Sequence, residues 1–406
     1  MDAYFRSRRR LWAAVGLLVG LILIAWDLWA AAGTYVSQYA VRNDFRLAYG
    51  AALVGIRNGY SHLYDLGAQK SAIESLGAGF NPQPFISPPP LAWLVTPLVL
   101  LPFSVALVIW TVLLLAALGW TWYLLAPSDG LAKAAHLALL LGVFPVAFGV
   151  MVGQPGALVA AAVATAWWLM RRQHPVWAGL ALTLIVLKPQ MAFLVPICLL
   201  ASGHARTFGA WLLASLVIGL VALALLGPEG VARYRDVLAQ TQTSAWDITR
   251  RYSISGPIGL GPLLNVTQVV VVAVAVVAAW RHRHDGSEIP MAAGIVGSLL
   301  ATPYLGFQDF VMLVVAGWLV VRAGANAWQL ALLVVGYALL QFVIIVLAVP
   351  ILIAEALLLL SLVSRSGGSA ESRRIGARGQ GDGEQRSAHV STCKRVAEPA
   401  TQRSGA

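Results

Sequence analysis

Between Arg10 and Asp27 the chain carries no charged side chain, only LWAAVGLLVGLILIAW. A segment this long and this apolar spans hydrocarbon as a helix, because there every backbone N–H and C=O must find its partner within the segment. Uncharged stretches recur at 103–125, 207–226 and 263–280. One soluble core has no use for four of them, since an exposed apolar surface of that size drives aggregation. Of the 406 residues, 59% are apolar and 11% charged, against about a quarter charged in soluble domains. The sequence therefore predicts an all-α polytopic membrane protein. MDAYFRSRRR followed by the first apolar run has the outline of a signal peptide. We read it as an uncleaved anchor, because it is long enough to cross a bilayer and more spans follow.

Apolar length and punctuation place candidate spans at 11–32, 103–125, 133–150, 156–170, 175–187, 190–203, 207–226, 263–280, 289–302, 307–322, 326–346 and 350–363, about twelve in all. With the N-terminus inside, Lys133, Arg171, Arg172, Arg206, Arg281, Arg283, Arg322 and Arg365 fall at inner ends, as the positive-inside rule expects. Both termini are then cytoplasmic. Two long outer segments remain, 33–88 and 227–262. The first is expected to hold an amphipathic helix lying on the membrane surface. Pro97 and Pro102 are expected to break the run 91–125 into a short piece and a full helix. The domain is read as residues 1–364. Residues 365–406, rich in Gly, Ser, Arg and Glu, read as a disordered basic cytoplasmic tail.

The net charge of +11 belongs to inner loops and tail, so nucleic acid is not an expected partner; membrane lipids are. Cys198 lies in an apolar run and Cys393 in the tail, which places them too far apart for a disulfide. No Cys/His group has metal-ligand spacing, His282 and His284 reading as a short basic loop. The expectation is no metal and no cofactor.

On this topology Asp44, Gln154, Lys188, Gln190, Arg250, Arg251, Tyr304, Gln308 and Asp309 all land on the outer side. Polar groups near a bilayer are expensive and mark functional sites. Lys188, Arg250 and Arg251 are candidates for binding an anionic group such as phosphate, and Asp44 for accepting a proton. Gln154, Gln190, Tyr304, Gln308 and Asp309 are candidates for orienting substrate. Each set also has a purely structural reading: Lys188 snorkelling to headgroups, Arg250 and Arg251 as a solvated pair, VGQPG as a turn, Asp44 as a helix cap. Asp65 reads as a turn or cap. Asp27 falls near the outer surface, within reach of the site, and Glu355 has no evident partner.

Several stretches taken in order resemble glycosyltransferase family 87: NDFRLAYGAALVGIRNGYSHLYD, FISPPPLAWLVTPLVLLPFSVALVIW, GQPGALVAA, GLALTLIVLKPQMAFLVP, GPEG and LLATPYLGFQDFVMLVVAGWL. The likeness runs over about residues 35–322. It implies a GT-C-like bundle and an enzyme that takes a sugar, of mannose or arabinofuranose type, from a polyprenyl-phosphate donor. The acceptor would be an envelope lipid or glycan hydroxyl on the outer face of the bacterial inner membrane, and the transfer mostly inverting. The family's essential Asp falls on Asp44, its Lys-Pro-Gln element on Lys188, Pro189 and Gln190, and its Gly-Gln element on Gly153 and Gln154. Where many relatives carry a His or a Tyr-Asp pair, this chain reads TPYLGFQDF. A transporter or flippase for lipid-linked sugars, and a non-catalytic envelope scaffold, are the competing readings.

Overall fold

The fold is that of a computed structural model, which describes residues 8–34, 38–77, 83–240, 250–346 and 348–364. Among these residues there are helices and turns and no strand. The first third holds α1 (Arg9–Thr34), α2 (Phe45–Asn58), α3 (Leu66–Glu74), α4 (Pro89–Val95) and α5 (Phe103–Leu125). The middle holds α6 (Gly130–Gly142), α7 (Phe144–Met151), α8 (Gly156–Arg171), α9 (Pro175–Leu182), α10 (Leu194–Ala201) and α11 (Ala205–Gln240). The last part holds α12 (Pro262–Arg281), α13 (Glu288–Ala301), α14 (Val311–Arg322), α15 (Ala327–Gln341) and α16 (Ala348–Ser361). The described residues belong to one compact unit ending at Ser364; the tail, 365–406, lies outside them.

The expected bundle of about twelve spans is not what the chain forms. Four helices, α1, α5, α11 and α12, are long and apolar enough to cross a membrane, and a fifth span results if α6 and α7, bent by 59° at their junction, count as one. The remaining apolar runs are too short. α13 has 14 residues, roughly 21 Å at about 1.5 Å per residue, against a hydrocarbon core of ~30 Å. α14 has 12, α15 has 15 and α16 has 14. The 175–187 run divides into α9 and a 3-10 turn at Thr183–Leu187, and the next run opens with another 3-10 turn at Pro189–Met191. Apolar length in the sequence counts interior helices along with spans. α13 shows this best, since every residue from Pro290 to Ala301 is buried in protein.

Two further expectations change. α2 is largely packed into the protein rather than exposed along one side. Phe45, Ala48, Tyr49, Ala51, Ala52 and Val54 are buried in the core, where Phe45 stacks on Trp110 of α5 at 5.1 Å and the Tyr49 hydroxyl donates to the Leu101 carbonyl at 2.8 Å. The segment 227–262 is not simply a loop: α11 runs on to Gln240 past a kink at Gly227 (φ 62) and Pro228, and residues 241–249 lie outside the described set. The break at Pro97 and Pro102 does fall where the sequence puts it, as a 3-10 turn at Thr96–Leu100 between α4 and α5.

Candidate active site

Asp44 precedes the first turn of α2, and a cap is the ordinary use of Asp there. Its side chain makes no capping bond. The neighbouring Asn43 takes that duty, its Oδ1 accepting from the Phe45 N–H at 2.9 Å. Asn43 is wholly buried and also donates through Nδ2 to the Met151 carbonyl at 3.0 Å. The Asp44 N–H donates to the Val152 carbonyl at 2.6 Å. The start of α2 is thus sewn to the turn after α7, and the Asp44 carboxylate is left free to face elsewhere.

That turn is shaped by Gly153. Its φ of 71° is one that L side chains rarely adopt, and a Cβ there would run into Asn43 Oδ1. The Gly153 carbonyl accepts from Trp110 Nε1 at 2.8 Å. The next residue, Gln154, is held so that its Nε2 donates to Asp44 Oδ2 at 2.8 Å while its Oε1 accepts from Lys188 Nζ at 2.9 Å. Lys188 stands between two 3-10 turns with a non-helical backbone (φ −155, ψ 74), since the following proline disfavours the helical region. Its ammonium also contacts Asp309 Oδ1 in a buried ion pair. Asp309 lies in the 3-10 turn Phe307–Phe310, which precedes α14. That turn is pinned by rings: Phe307 packs on Phe148 at 4.7 Å and Tyr252 on Phe307 at 5.6 Å. The Pro303 carbonyl accepts from Ser253 Oγ at 3.1 Å and from Ser255.

The result is a continuous polar chain, Asp309–Lys188–Gln154–Asp44–Arg46, drawn from four separate parts of the sequence. Arg46 Nη1 closes it, 3.5 Å from Asp44 Oδ1 and 2.7 Å from the Asn43 carbonyl. The chain lies along a cavity of about 550 Å³, lined by Asp44, Gln154, Lys188, Gln190, Tyr304, Gln308 and Asp309 with an apolar side from Phe45, Phe85 and Trp110. A volume of that size suits a small ligand or part of a larger one.

Seven of the nine expected site residues therefore share one cavity. Arg250 and Arg251 do not line it; they flank Tyr252, and the Arg250 carbonyl accepts from Ser253. Asp65 is a cap, accepting from the Ala68 N–H at 2.9 Å. Asp27 and Glu355 are buried away from the cavity without hydrogen-bond partners. Asn43, Arg46, Trp110 and Gln83 are site residues that the sequence reading passed over. The first two flank Asp44 within NDFR, which was the available signal; Trp110 sits mid-helix in α5 and had none.

The electrostatics follow from burial. The Asp44 side chain is 31% exposed, toward the cavity. Dense protein behind it pushes its carboxyl above the usual range, against the opposing pull of Gln154, Arg46 and Lys188. Burial and the nearby Asp309 charge push the Tyr304 phenol up, which keeps it a hydrogen-bond donor. No group of three or more His, Cys, Asp or Glu among the described residues is placed to hold a metal ion. A carboxylate with raised proton affinity, a cation and a set of amides around an apolar floor suit proton abstraction from a hydroxyl and recognition of a polar, ring-shaped ligand.

Residues 85–305, more than half of the chain, match the profile of glycosyltransferase family 87. The chain belongs to that family. Sugar transfer is therefore its general activity, and the apolar helices α1, α5, α11 and α12 associate it with a membrane. No curated protein and no solved structure gives a significant match. The family 87 match takes in Gln154, Lys188, Gln190 and Tyr304; Asp44, Gln308 and Asp309 stand outside its limits in sequence and line the same cavity in space.

Proposed function

We propose that this family 87 chain moves a neutral sugar, of mannose or arabinofuranose type, from a polyprenyl-phosphate donor to a hydroxyl of an envelope lipid or glycan. Asp44 is the base. It takes the acceptor's hydroxyl proton as the acceptor oxygen attacks the anomeric carbon from the face opposite the phosphate, and the carbon–oxygen bond to the phosphate breaks. The configuration at that carbon inverts. Lys188 meets the charge that develops on the departing phosphate, where a fixed cation in a poorly solvated site acts most strongly. Gln190, Gln308 and Tyr304 present amides and a phenol to sugar hydroxyls, while Gln154 holds Asp44 and Lys188 in place. The observation that supports this reading above others is the pairing of a carboxylate and a cation on one cavity, joined through a single amide, Gln154.

The catalytic unit is residues 1–364. The site faces the outer side of a bacterial plasma membrane, with both termini in the cytoplasm. The test is transfer in proteoliposomes offered a panel of radiolabelled polyprenyl-phosphate sugars, with membrane extract as acceptor. Wild type transfers label and Asp44→Asn does not. Full transfer by Asp44→Asn removes Asp44 as base, and labelled lipid crossing the bilayer untransferred replaces the enzyme with a transporter.

A further inference from the structure

Among the described residues that line the cavity, Lys188 is the one cation, while Asp44 and Asp309 are both carboxylates. Arg46 lies 3.5 Å from Asp44, and Lys188 is paired with Asp309. Lys188 already donates to Asp309 and Gln154. A phosphodiester reaching Lys188 would bring a second negative charge to the same ammonium. Two anions on one ammonium, in a site whose Lys and Asp are 8% and 1% exposed, repel each other with little water to screen them.

We propose that Asp309 competes with the donor's phosphate for Lys188, and that a phosphodiester binds there with the uptake of one proton by Asp309. The inference rests on the reading of Lys188 as the phosphate-binding residue. The balance is simple. One negative charge enters with the phosphodiester, one proton enters from water, and the net charge of the site is unchanged. The Lys188–Asp309 ion pair opens, the ammonium donates to a phosphate oxygen, and the new carboxylic acid donates a second hydrogen bond.

Position selects Asp309 rather than Asp44 as the proton's destination. Asp44 keeps Arg46 whatever Lys188 does. Among the described residues, the charged partner of Asp309 is Lys188. Tyr304 faces it from the preceding loop as a neutral phenol. From α7, Phe144 and Phe148 pack on its turn without a titratable group, and from the 250–256 segment Tyr252 meets the turn through its ring. Asp44 and Arg46 lie beyond Gln154, and Arg250 and Arg251 lie outside the cavity. With Lys188 turned to a phosphate, the Gly306 backbone hydrogen bond remains to favour the ionised form, and no cation of that set does. Burial already pushes its carboxyl upward, and Lys188 is the main opposing pull.

Methyl farnesyl phosphate is a suitable probe, because a dialkyl phosphate keeps one negative charge across the range tested. Its binding to the full-length protein in detergent is measured by titration calorimetry from about pH 5.5 to about pH 8.5, in two buffers of different ionisation heat at each pH. The expected result is close to one proton taken up per probe at the alkaline end, and a Kd that rises up to about tenfold per pH unit there. Asp309→Asn is expected to bind with no pH dependence and at least as tightly as wild type at low pH. Zero proton uptake by wild type, or weaker binding by Asp309→Asn across the range, overturns the proposal; the wild-type proton count decides it alone if the variant does not fold. Lys188→Gln separates this proposal from the reading beneath it. If that variant binds the probe as wild type does, or if wild type does not bind at all, the phosphate assignment of Lys188 fails and the competition with it. If Lys188 is required and no proton is taken up, only the role of Asp309 fails.

Discussion

The Gln154 amide nitrogen lies 2.8 Å from the Asp44 carboxylate, although 110 residues of chain separate them. The other end of the same amide accepts from Lys188 at 2.9 Å. An ammonium has no acceptor to offer, so Lys188 dictates which way the amide faces and thereby guarantees that a donor points at Asp44. The base is oriented by a residue that never needs to touch substrate.

Gln154→Leu tests this. It removes a hydrogen bond to a charged group, worth about 1.5–3 kcal/mol, which corresponds to roughly ten- to a hundredfold in rate where the bond holds the base in place. The loss falls on kcat more than on KM. Gln154 lowers the proton affinity of Asp44, so its removal also shifts the acid limb of the rate profile to higher pH. A variant with normal kcat and an unmoved limb shows that the amide is not what aims Asp44.

Asp44→Asn is expected to be inactive and more stable. Proton abstraction by a placed base contributes on the order of 10²–10⁴ in rate, and that factor is lost. For stability the sign runs the other way. The folded state raises the proton affinity of Asp44, so the folded chain binds the proton more tightly than the unfolded one. Stability then falls as pH rises from the ordinary carboxylate range through the raised folded value, and the penalty is fully present above that value. An amide at position 44 escapes it. The midpoint of thermal unfolding in detergent therefore rises in the variant near neutral pH, and the gain shrinks on acidification. Equal midpoints at every pH contradict the burial argument.

Residue chemistry was more legible in the sequence than architecture was. Charged and amide side chains that interrupt apolar runs stand out, and Asp44, Gln154, Lys188, Gln190, Tyr304, Gln308 and Asp309 do meet at one cavity. Arg250 and Arg251 carried the same signal and do not line it, because a solvated pair and a binding pair look alike when only spacing is read. The helix count failed for a related reason. Leu, Val and Ala serve equally to face lipid and to face protein, so α13, buried from Pro290 to Ala301, was indistinguishable from a span by composition. Asn43 was missed because its work, freeing Asp44 from capping, depends on the Met151 carbonyl, a contact that no local pattern announces.

Two glycines near the site are expected to respond in opposite ways to alanine. At Gly153 the positive φ and the close Asn43 side chain both oppose a Cβ, so Gly153→Ala costs about 1–3 kcal/mol and displaces the Asn43 clamp that frees Asp44. Activity falls with it. At Gly149, one turn earlier in α7, a Cβ would meet Gln308 Cβ at 3.5 Å, an ordinary contact, and alanine is the better helix former. Gly149→Ala is neutral to slightly stabilising. Thermal unfolding of both variants beside wild type decides it, and a tolerated Gly153→Ala removes the structural argument for that turn.

Beyond the kink at Gly227, the end of α11 is fastened to the loop after α2 by Arg233 and Tyr234. Arg233 reaches His62 Nδ1 at 2.8 Å, Asp65 Oδ2 at 3.3 Å and Glu229 Oε1 at 2.6 Å. Beside it Tyr234 stacks on Tyr64 at 4.2 Å, and the Tyr64 hydroxyl donates to the Ser87 carbonyl on the cavity wall. The kink leaves this arm tied to the rest of α11 through an interrupted helix, so these contacts decide how often it lifts. Partly exposed ion pairs contribute little to global stability, about 0–1 kcal/mol each, and Arg233→Ala should leave the unfolding midpoint almost unchanged. Local opening is a different equilibrium. Amide exchange in 229–240 is expected to quicken several-fold in Arg233→Ala while α13 keeps its protection, and Tyr234→Ala should do the same through the lost ring contact. Unaltered exchange in both variants means that the arm is held by the apolar side of α11 instead.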